Sequence, residues 1–362
     1  MVRGHELSPR ERVRLALDHQ ITDRPPISIG FGANPPVLRE LKDHLGLRNE
    51  REAWDWLMGF SDIRKPSLQY VGPKLRRFAD GSWEDCWGVH RKPTWYGAGY
   101  YDEIVYYPLD SITDISQLED HHWPSVEWWD VSDLRDRIEA IRKQGNYAIQ
   151  VCNGNIFESA WYMRGFEKML EDLILNPELA HAIFTKVTDF FIGFIGKVLE
   201  AADGDVDLVM TADDIGGQNG LLMSLDMWEE FLKPYHAKLN KMIHEFGVKI
   251  LYHSDGAVMD AVPGLIDMGI DILEALQFDA EDMDPHLLKE LYGDRLCFHG
   301  GISVQSTLPF GSVDEVKQEV EDRIRVLGRN GGYIVAPSHT IQAGTPAENV
   351  VAMFETAKDF SW

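Results

Sequence analysis

The sequence predicts an α/β protein whose parallel strands close into a TIM (β/α)8 barrel. From about residue 132 onward, short apolar strands alternate with helices, which is typical of a parallel sheet. Seven strands are predicted, one at residues 27–32, one near residue 147 and five later ones, and an eighth is expected within residues 60–130. Most late strands end in polar residues, as barrel strands do beside an active site.

The opening residues predict a helix followed by the first buried strand. Ser8 is a favourable N-cap, Pro9 suits the first helical position and Glu11 lies in the first turn, so a helix is predicted through Leu17. Residues 27–32 read ISIGFG, an apolar run that predicts the first strand of the barrel.

Residues 60–130 differ from the rest because they are rich in Trp, Tyr, Gly and Pro. Short alternating segments, such as EIVYY at 103–107, predict a β excursion or lid rather than barrel strands. The chain contains neither a low-complexity tract nor a repeat, and it lacks an interdomain linker. We therefore expect one domain over residues 1–362, with an aromatic-rich insert at about 60–130.

The later elements follow the barrel rhythm closely. Strands are predicted at 147–151, 208–211, 248–252, 272–275, 296–299 and from Tyr333. The helices are predicted as two through Ala202, then 225–246, 258–268, 284–293 and 313–327, and a last one from Pro346.

Composition excludes several classes of protein. The hydrophobic share of 44% indicates a folded globular chain, and no run approaches the roughly 18 apolar residues of a membrane span. The N-terminus reads MVRGHE, without an apolar signal core, so a cytoplasmic location is expected. A net charge of −24 argues against nonspecific binding to nucleic acid or anionic membranes. Three widely spaced cysteines without a CxxC motif give no thiol zinc site and no disulfide framework.

The strand ends carry the candidate metal ligands. Residues 249–256 read KILYHSDG, so His253 and Asp255 are two apart on a strand and point to the same face. A second strand, 332–339, delivers His339. Two imidazoles and a carboxylate can hold zinc or another divalent metal with one position open. The alternative is that these histidines are hydrogen-bonded loop residues.

Other strand-end residues are candidates for proton transfer and substrate binding. Asp214 precedes a glycine turn and is predicted to donate or accept a proton, and His299 is predicted to add a ligand or orient the substrate. Helix capping is an open alternative for Asn155 and Asp213. The predicted substrate-binding residues are Asn153, Gln218, Gln277 and Trp83.

A set of motifs resembles a known superfamily. Residues 253–256 read HSDG, 269–273 GIDIL, 298–303 FHGGIS and 331–339 GGYIVAPSH, with PAEN at 346–349. Together they resemble the uroporphyrinogen decarboxylase superfamily, which includes zinc-dependent methyltransferases that work with corrinoid proteins. The resemblance covers the C-terminal half well and the first 130 residues poorly.

Two departures favour the methyltransferase branch over true uroporphyrinogen decarboxylases, but with altered chemistry. Residues 23–33 read DRPPISIGFGA and lack the arginine-rich segment with which decarboxylases bind tetrapyrrole carboxylates. The methyltransferases typically bind zinc through His-x-Cys and a late Cys, whereas this chain has Asp255 and His339 at those places. Nitrogen and oxygen donors are harder ligands than thiolate sulfur, and a metal site built from them is less suited to binding a thiol. This argues against a thiol as the methyl acceptor.

The resemblance therefore implies a metal-assisted demethylating enzyme. It would move a methyl group from a small methylated substrate, of the methoxy or methylamine type, to a partner corrinoid protein. The chain offers no corrinoid-binding Asp-x-His-x-x-Gly signature of its own, so the corrinoid is expected on a separate chain. A lyase or decarboxylase without corrinoid and a noncatalytic binding protein are the alternatives, and a homodimer is possible.

Overall fold

A computed structural model describes residues 6–97 and 99–362. The predicted absence of a signal core concerns Met1 to His5, which lie outside the described residues, as does Ala98 in the insert. The strands are β1 Ile63–Arg64, β2 Gln69–Tyr70, β3 Trp83–Glu84, β4 His90–Trp95, β5 Tyr100–Tyr106, β6 Trp129–Asp130, β7 Ala148–Val151, β8 Leu208–Ala212, β9 Gly216–Gly217, β10 Gly220–Leu221, β11 Lys249–His253, β12 Ile272–Ala275, β13 Cys297–Ile302 and β14 Tyr333–Pro337.

Seven of these strands form a curled parallel sheet in the order β1-β7-β8-β11-β12-β13-β14. The segment at Ile27 joins the two ends of this sheet. Ile27 pairs with Val335 of β14, and its carbonyl oxygen accepts the backbone N–H of Asp62, beside β1, at 2.8 Å. The predicted TIM barrel is therefore confirmed, and β1 is the eighth strand expected within residues 60–130.

The predicted first strand over residues 27–32 is wrong in its length. Only Ile27 makes a ladder pair with the barrel. Gly30 and Gly32 adopt φ angles of 57° and 88°, and these left-handed conformations turn the chain out of the sheet. As a result Phe31 projects from a bend and not from a strand.

The helices are α1 Pro9–Leu17, α2 Pro35–Leu45, α3 Glu50–Met58, α4 Leu134–Gln144, α5 Ile156–Arg164, α6 Phe166–Leu175, α7 Pro177–Ala202, α8 Leu225–Phe231, α9 Lys233–Glu245, α10 Val262–Asp267, α11 Pro285–Tyr292, α12 Thr307–Phe310, α13 Val313–Leu327 and α14 Ala347–Asp359. Short 3-10 helices cover Ile115–Asp120, Val126–Trp128 and Met259–Ala261. Within the described ranges, no helix is long and apolar enough to cross a membrane.

Three predicted helix bounds need correction. The helix predicted over 225–246 is two helices because Pro234 has no N–H to donate to the carbonyl four residues earlier. Pro263 likewise leaves a 3-10 turn ahead of α10 in the predicted helix 258–268. Three helices, α5 to α7, and not two lie between β7 and Asp203, because Gly165 has a φ of 93° and separates α5 from α6.

Helix α1 closes the amino-terminal end of the barrel. Its Val13 and Leu17 are buried in an apolar cluster with side chains of the strands, namely Ile63, Ala148, Leu208, Met210, Leu251, Ile272, Cys297 and Ile334. This plug fills the lower barrel, so the carboxyl ends of the strands are left as the open face.

The aromatic-rich insert forms small antiparallel sheets, as predicted. Strands β3, β4 and β5 make one sheet, and β2 pairs with β6. Part of the insert packs on the outer helices, since the Trp87 ring centre lies 5.0 Å from that of Phe190 in α7. Strand β5 of the insert reaches the open face, where the Tyr101 hydroxyl donates to Gln342 Oε1 at 2.9 Å. The insert thus both covers the barrel wall and borders its mouth.

Candidate active site

Three adjacent strands bring polar side chains together at the open face. His253 of β11 pairs in register with Glu274 of β12, which pairs in turn with His299 of β13. All three side chains are almost fully buried. Because burial of a charged or polar group is costly without a partner, the charge state of each of these side chains depends on its neighbours in the row.

Glu274 orients His253. Its carboxylate makes a short hydrogen bond with His253 Nδ1, which leaves Nε2 as the free ring nitrogen. Burial alone would lower the pKa of His253, but the charge of Glu274 and its hydrogen bond outweigh burial and raise that pKa above its ordinary range. Burial would raise the pKa of Glu274, yet the same pairing lowers it. A carboxylate behind a histidine is the usual support of a metal ligand.

The three predicted metal ligands converge in space. His253, Asp255 and His339 each offer one donor atom, and these atoms all lie within 4.8 Å of one another. His339 Nε2 is 3.8 Å from Asp255 Oδ2, and both side chains are partly exposed to the mouth. Two imidazole nitrogens and a carboxylate oxygen, with solvent on the open side, fit a divalent ion of the zinc type that keeps one position free.

A sharp turn places Asp255. Gly256 has a φ of 85°, and a Cβ there would lie 2.5 Å from the carbonyl carbon of Gly216. The turn is also held by Gln277, whose Oε1 accepts the Gly256 N–H at 2.9 Å. Gln277 Nε2 is buried without a hydrogen-bond partner. Gln277 therefore supports the ligand loop and still has a donor available for the predicted contact with substrate.

Asp213 and Asp214 have different surroundings although they are adjacent. Asp213 is fully buried and accepts the backbone N–H groups of Phe157 and Glu158 at 2.8 and 2.9 Å, so it caps α5. Asp214 is partly exposed, accepts the Asp255 N–H at 2.8 Å and lies 3.5 Å from His253 Nε2. Asp213 thus caps a helix, but that helix is α5, which precedes β8, and not the helix that follows its own strand. Asp214 borders the ligand group.

His299 lies beneath the ligand group and not within it. Its Nδ1 is 3.7 Å from Glu274 Oε1, too far for a hydrogen bond, and has no other partner. His299 lines a cavity of about 10 Å³ with Lys65, Phe31 and Glu274. That volume is close to the minimum for one water molecule, so His299 is placed to contact only a small group.

The remaining predicted substrate contacts are farther apart. Asn153 is exposed in the loop after β7, and Gln218 is exposed in the β9–β10 hairpin, where its carbonyl accepts the Glu281 N–H. Trp83 pairs with Arg91 inside the insert sheet. The substrate-binding roles of Asn153, Gln218 and Trp83 stay predictions, and Trp83 pairs with Arg91 and Arg77 of the insert.

Two residues that the sequence did not single out also border the ligand group. The Phe31 ring centre lies 4.9 Å from that of His253 and 5.1 Å from that of His339. Lys65 faces the same space with its amine 5.8 Å from the Phe31 ring, and burial lowers the pKa of Lys65. The glycines on either side of Phe31 were the available signal, because they indicate a bend that presents a side chain.

The chain matches a family model described as uroporphyrinogen decarboxylase (URO-D) over residues 101–360. This match covers well over half of the sequence and includes His253, Asp255 and His339. The chain belongs to the uroporphyrinogen decarboxylase family.

Relatives within this family fall into two groups. A uroporphyrinogen decarboxylase from Anaeromyxobacter sp. is 27% identical over 239 residues, which is 63% of this chain and 61% of that protein. The alignment with one from Anaeromyxobacter dehalogenans, at 28% identity, covers 55% of this chain and 53% of that protein. A methylated-thiol–coenzyme M methyltransferase from Methanosarcina mazei is 27% identical over 316 residues, covering 84% of this chain and 81% of that protein.

A solved structure extends the likeness to nearly the whole fold. A methyltransferase from Methanosarcina mazei superposes with a TM-score of 0.68 at 20% identity, over 98% of this chain and 99% of that one. At this identity the superposition establishes the barrel and its insert. The chain spans little more than half the length of the two Anaeromyxobacter decarboxylases but most of the Methanosarcina methyltransferase relative.

Proposed function

We propose that this protein is a methyltransferase that moves a methyl group from a small methylated substrate, of the methoxy or methylamine type, to a partner corrinoid protein. The observation that carries the proposal is the group of His253, Asp255 and His339 at the barrel mouth, with His253 held by Glu274. The similarity to the methyltransferase relative, which spans most of both chains, supports the same reaction class.

The arginines near the N-terminus argue against a tetrapyrrole substrate. Arg12 and Arg24 both bind the buried Asp62, at 2.7 and 2.8 Å, and Arg12 also binds Asp23. These guanidinium groups bind Asp62 at the junction between β1 and the Ile27 segment, and they are not available to bind substrate carboxylates. A decarboxylase that acts on a polyanionic porphyrinogen fits this arrangement poorly.

The site residues have separate roles: some would hold the metal ion, others orient those ligands, and Phe31 shields the methyl group from water. A bound divalent ion would polarise the leaving oxygen or nitrogen as a Lewis acid. Glu274 holds His253 in one orientation, and Gln277 with Gly256 fixes the loop of Asp255. Phe31 gives the pocket an apolar wall that excludes water from the methyl group. The donor set lacks sulfur, which suits an oxygen or nitrogen leaving group more than a thiol.

The direct test combines the purified chain, a panel of methyl ethers and methylamines, and cob(I)alamin. We expect conversion of the Co(I) absorption spectrum to that of methylcobalamin with at least one donor class. Catalysed breakdown of a candidate substrate in the complete absence of corrinoid would favour the lyase alternative instead.

Substitution of Asp214 by asparagine tests the role of the charge next to His253. We expect turnover to fall about 100-fold with little change in KM, because the amide keeps the hydrogen bond from Asp255 but loses the carboxylate charge. Steady-state kinetics measure this effect, with Asp226→Asn on the exposed side of α8 as the matched control. A rate within twofold of the wild type would leave Asp214 only its hydrogen bond to the loop.

The salt dependence of the methyl-transfer rate tests whether a corrinoid protein docks on this chain by electrostatic attraction. With a net charge of −24, this chain should attract a corrinoid protein that carries a basic patch, and added salt should screen that attraction over about 8–10 Å. We expect methyl transfer to the corrinoid protein to slow by about tenfold or more between low and high salt. Transfer to free cob(I)alamin is the control and should change little. Equal salt responses for both acceptors would contradict electrostatic docking.

A further inference from the structure

Glu158 is a carboxyl group at the barrel mouth whose two oxygens are hydrogen-bonded to side chains. It lies in the first turn of α5, directly after the carboxyl end of β7. Acidic residues at this position commonly cap or stabilise the helix end. Here that task belongs to Asp213, which accepts the N–H groups of Phe157 and Glu158 itself. The Glu158 carboxyl is thereby released from the helix backbone.

The partners of the Glu158 carboxyl are side chains. One oxygen accepts the hydroxyl of Tyr162 at 2.7 Å, and the other accepts the amide of Asn155. Arg91 of the insert lies 4.6 Å above the Tyr162 ring, so the insert closes this side of the mouth. Two side-chain donors fix the position of the carboxyl without supplying a full positive charge to balance it.

The charges around Glu158 favour its protonated form. Asp213 and Asp214 face it from the end of β8, Tyr162 from α5 and the buried Tyr252 from β11. Arg91 and the buried His236 are basic groups on this side, and each has an acidic partner: Arg91 is paired with Asp85 at 3.2 Å, and the His236 ring is hydrogen-bonded to Asp213. Burial first, and then the charges of Asp214 and Asp213, raise the pKa of Glu158 to about 7.

We propose that Glu158, in the first turn of α5 after the carboxyl end of β7, is the proton donor to the leaving oxygen or nitrogen of the methyl donor. This inference rests on the proposed methyl transfer. The bond from the methyl carbon to the heteroatom breaks, its electron pair stays on the heteroatom, and that atom takes the proton of Glu158. The methyl carbon bonds to the cobalt of a Co(I) corrinoid, which supplies the electron pair and becomes Co(III). No further oxidant or reductant is consumed, and Glu158 is left as a carboxylate.

If Glu158 donates the proton, the rate of methyl transfer should depend on pH, with a falling limb on the alkaline side of the profile. A carboxyl must be protonated to donate, so the wild-type rate of transfer to cob(I)alamin should fall as pH rises through about 7. Glu158→Gln should remove that limb and lower the rate about 100-fold for a poor leaving group. Glu167→Gln, on the exposed face of α6, is the matched control and should keep both the rate and the limb.

Varying the acidity of the leaving group distinguishes proton donation by Glu158 from a purely structural role of that residue. Aryl methyl ethers that release phenols of increasing acidity need the proton less and less. The deficit of Glu158→Gln should therefore be largest for unsubstituted anisole and small for a nitro-substituted ether. An equal deficit across the series, or a limb that persists in the variant, would overturn the assignment of Glu158.

A readout independent of catalysis keeps the two proposals distinguishable. Infrared difference spectra of the wild type between pH 5 and 9 should contain a protonated-carboxyl band that titrates near 7 and is missing in Glu158→Gln. Absence of that band would refute the inference whatever the activity. The band together with no methyl transfer from any donor by the wild type would refute the proposed function, and with it proton donation to the leaving oxygen or nitrogen.

Discussion

Replacing His339 by alanine is expected to lower the affinity for zinc at least about 100-fold, because loss of a supporting partner alone typically costs 10- to 100-fold and we propose His339 as a direct ligand. Its side chain is partly exposed at the mouth, and its nearest ionic partner, Asp255, is 3.8 Å away. Removal should therefore leave the fold intact. Metal analysis after reconstitution should give about one zinc per wild-type chain and much less in the variant.

His253→Ala should also remove the metal, but it is the less clean variant. The substitution leaves Glu274 buried without its charged partner, which costs about 3–5 kcal/mol of stability. The matched control is His286→Ala, an exposed histidine on α11. Full zinc occupancy in both His339→Ala and His253→Ala, with the control unchanged, would place the metal elsewhere.

Replacing Asp62 by alanine is expected to lower the free energy of unfolding by about 3–5 kcal/mol. Asp62 is buried and accepts hydrogen bonds from Arg12, Arg24 and the backbone N–H of Ile27. Its removal leaves two guanidinium groups without their shared anion at the seam where Ile27 joins β14 to β1. Urea denaturation followed by circular dichroism measures the effect.

The control for this stability prediction is an exposed ion pair. Asp55 binds Arg51 at 3.0 Å, and the two side chains are 56% and 80% exposed. Asp55→Ala should therefore cost less than about 1 kcal/mol. Comparable losses for Asp62→Ala and Asp55→Ala would mean that the buried network does not hold the barrel seam closed.

The sequence was sufficient to predict the barrel and the convergence of His253, Asp255 and His339, because its apolar periodicity locates the strands. Their role as metal ligands stays a prediction. His253 is the last residue of the apolar strand β11 and His339 follows β14, and parallel strands end on the same face of a barrel. The break in the predicted helix 225–246 could also have been foreseen from Pro234. The single-residue bridge at Ile27 could not, because the flanking residues read as a continuous apolar strand.

The missed site residues were hidden by ordinary local interpretations. Glu274 reads as one residue of a strand, although a charge in the short buried run ILEA was a signal. Glu158 reads as a helix-stabilising acid, and only the three-dimensional capping by Asp213 reveals that it is free of that task. Trp83 was selected from composition, which carries no information about which face of the insert it occupies.

The central claim is metal-assisted methyl transfer to a corrinoid, and one anaerobic absorbance experiment tests it most directly. Wild-type protein is stripped of metal by a chelator, divided, and half is reloaded with zinc before cob(I)alamin and the methyl donor are added. The account predicts formation of methylcobalamin by the reloaded half and its loss in the stripped half, with His339→Ala protein resembling the stripped sample. Equal methylcobalamin formation by the stripped and reloaded halves would contradict the account.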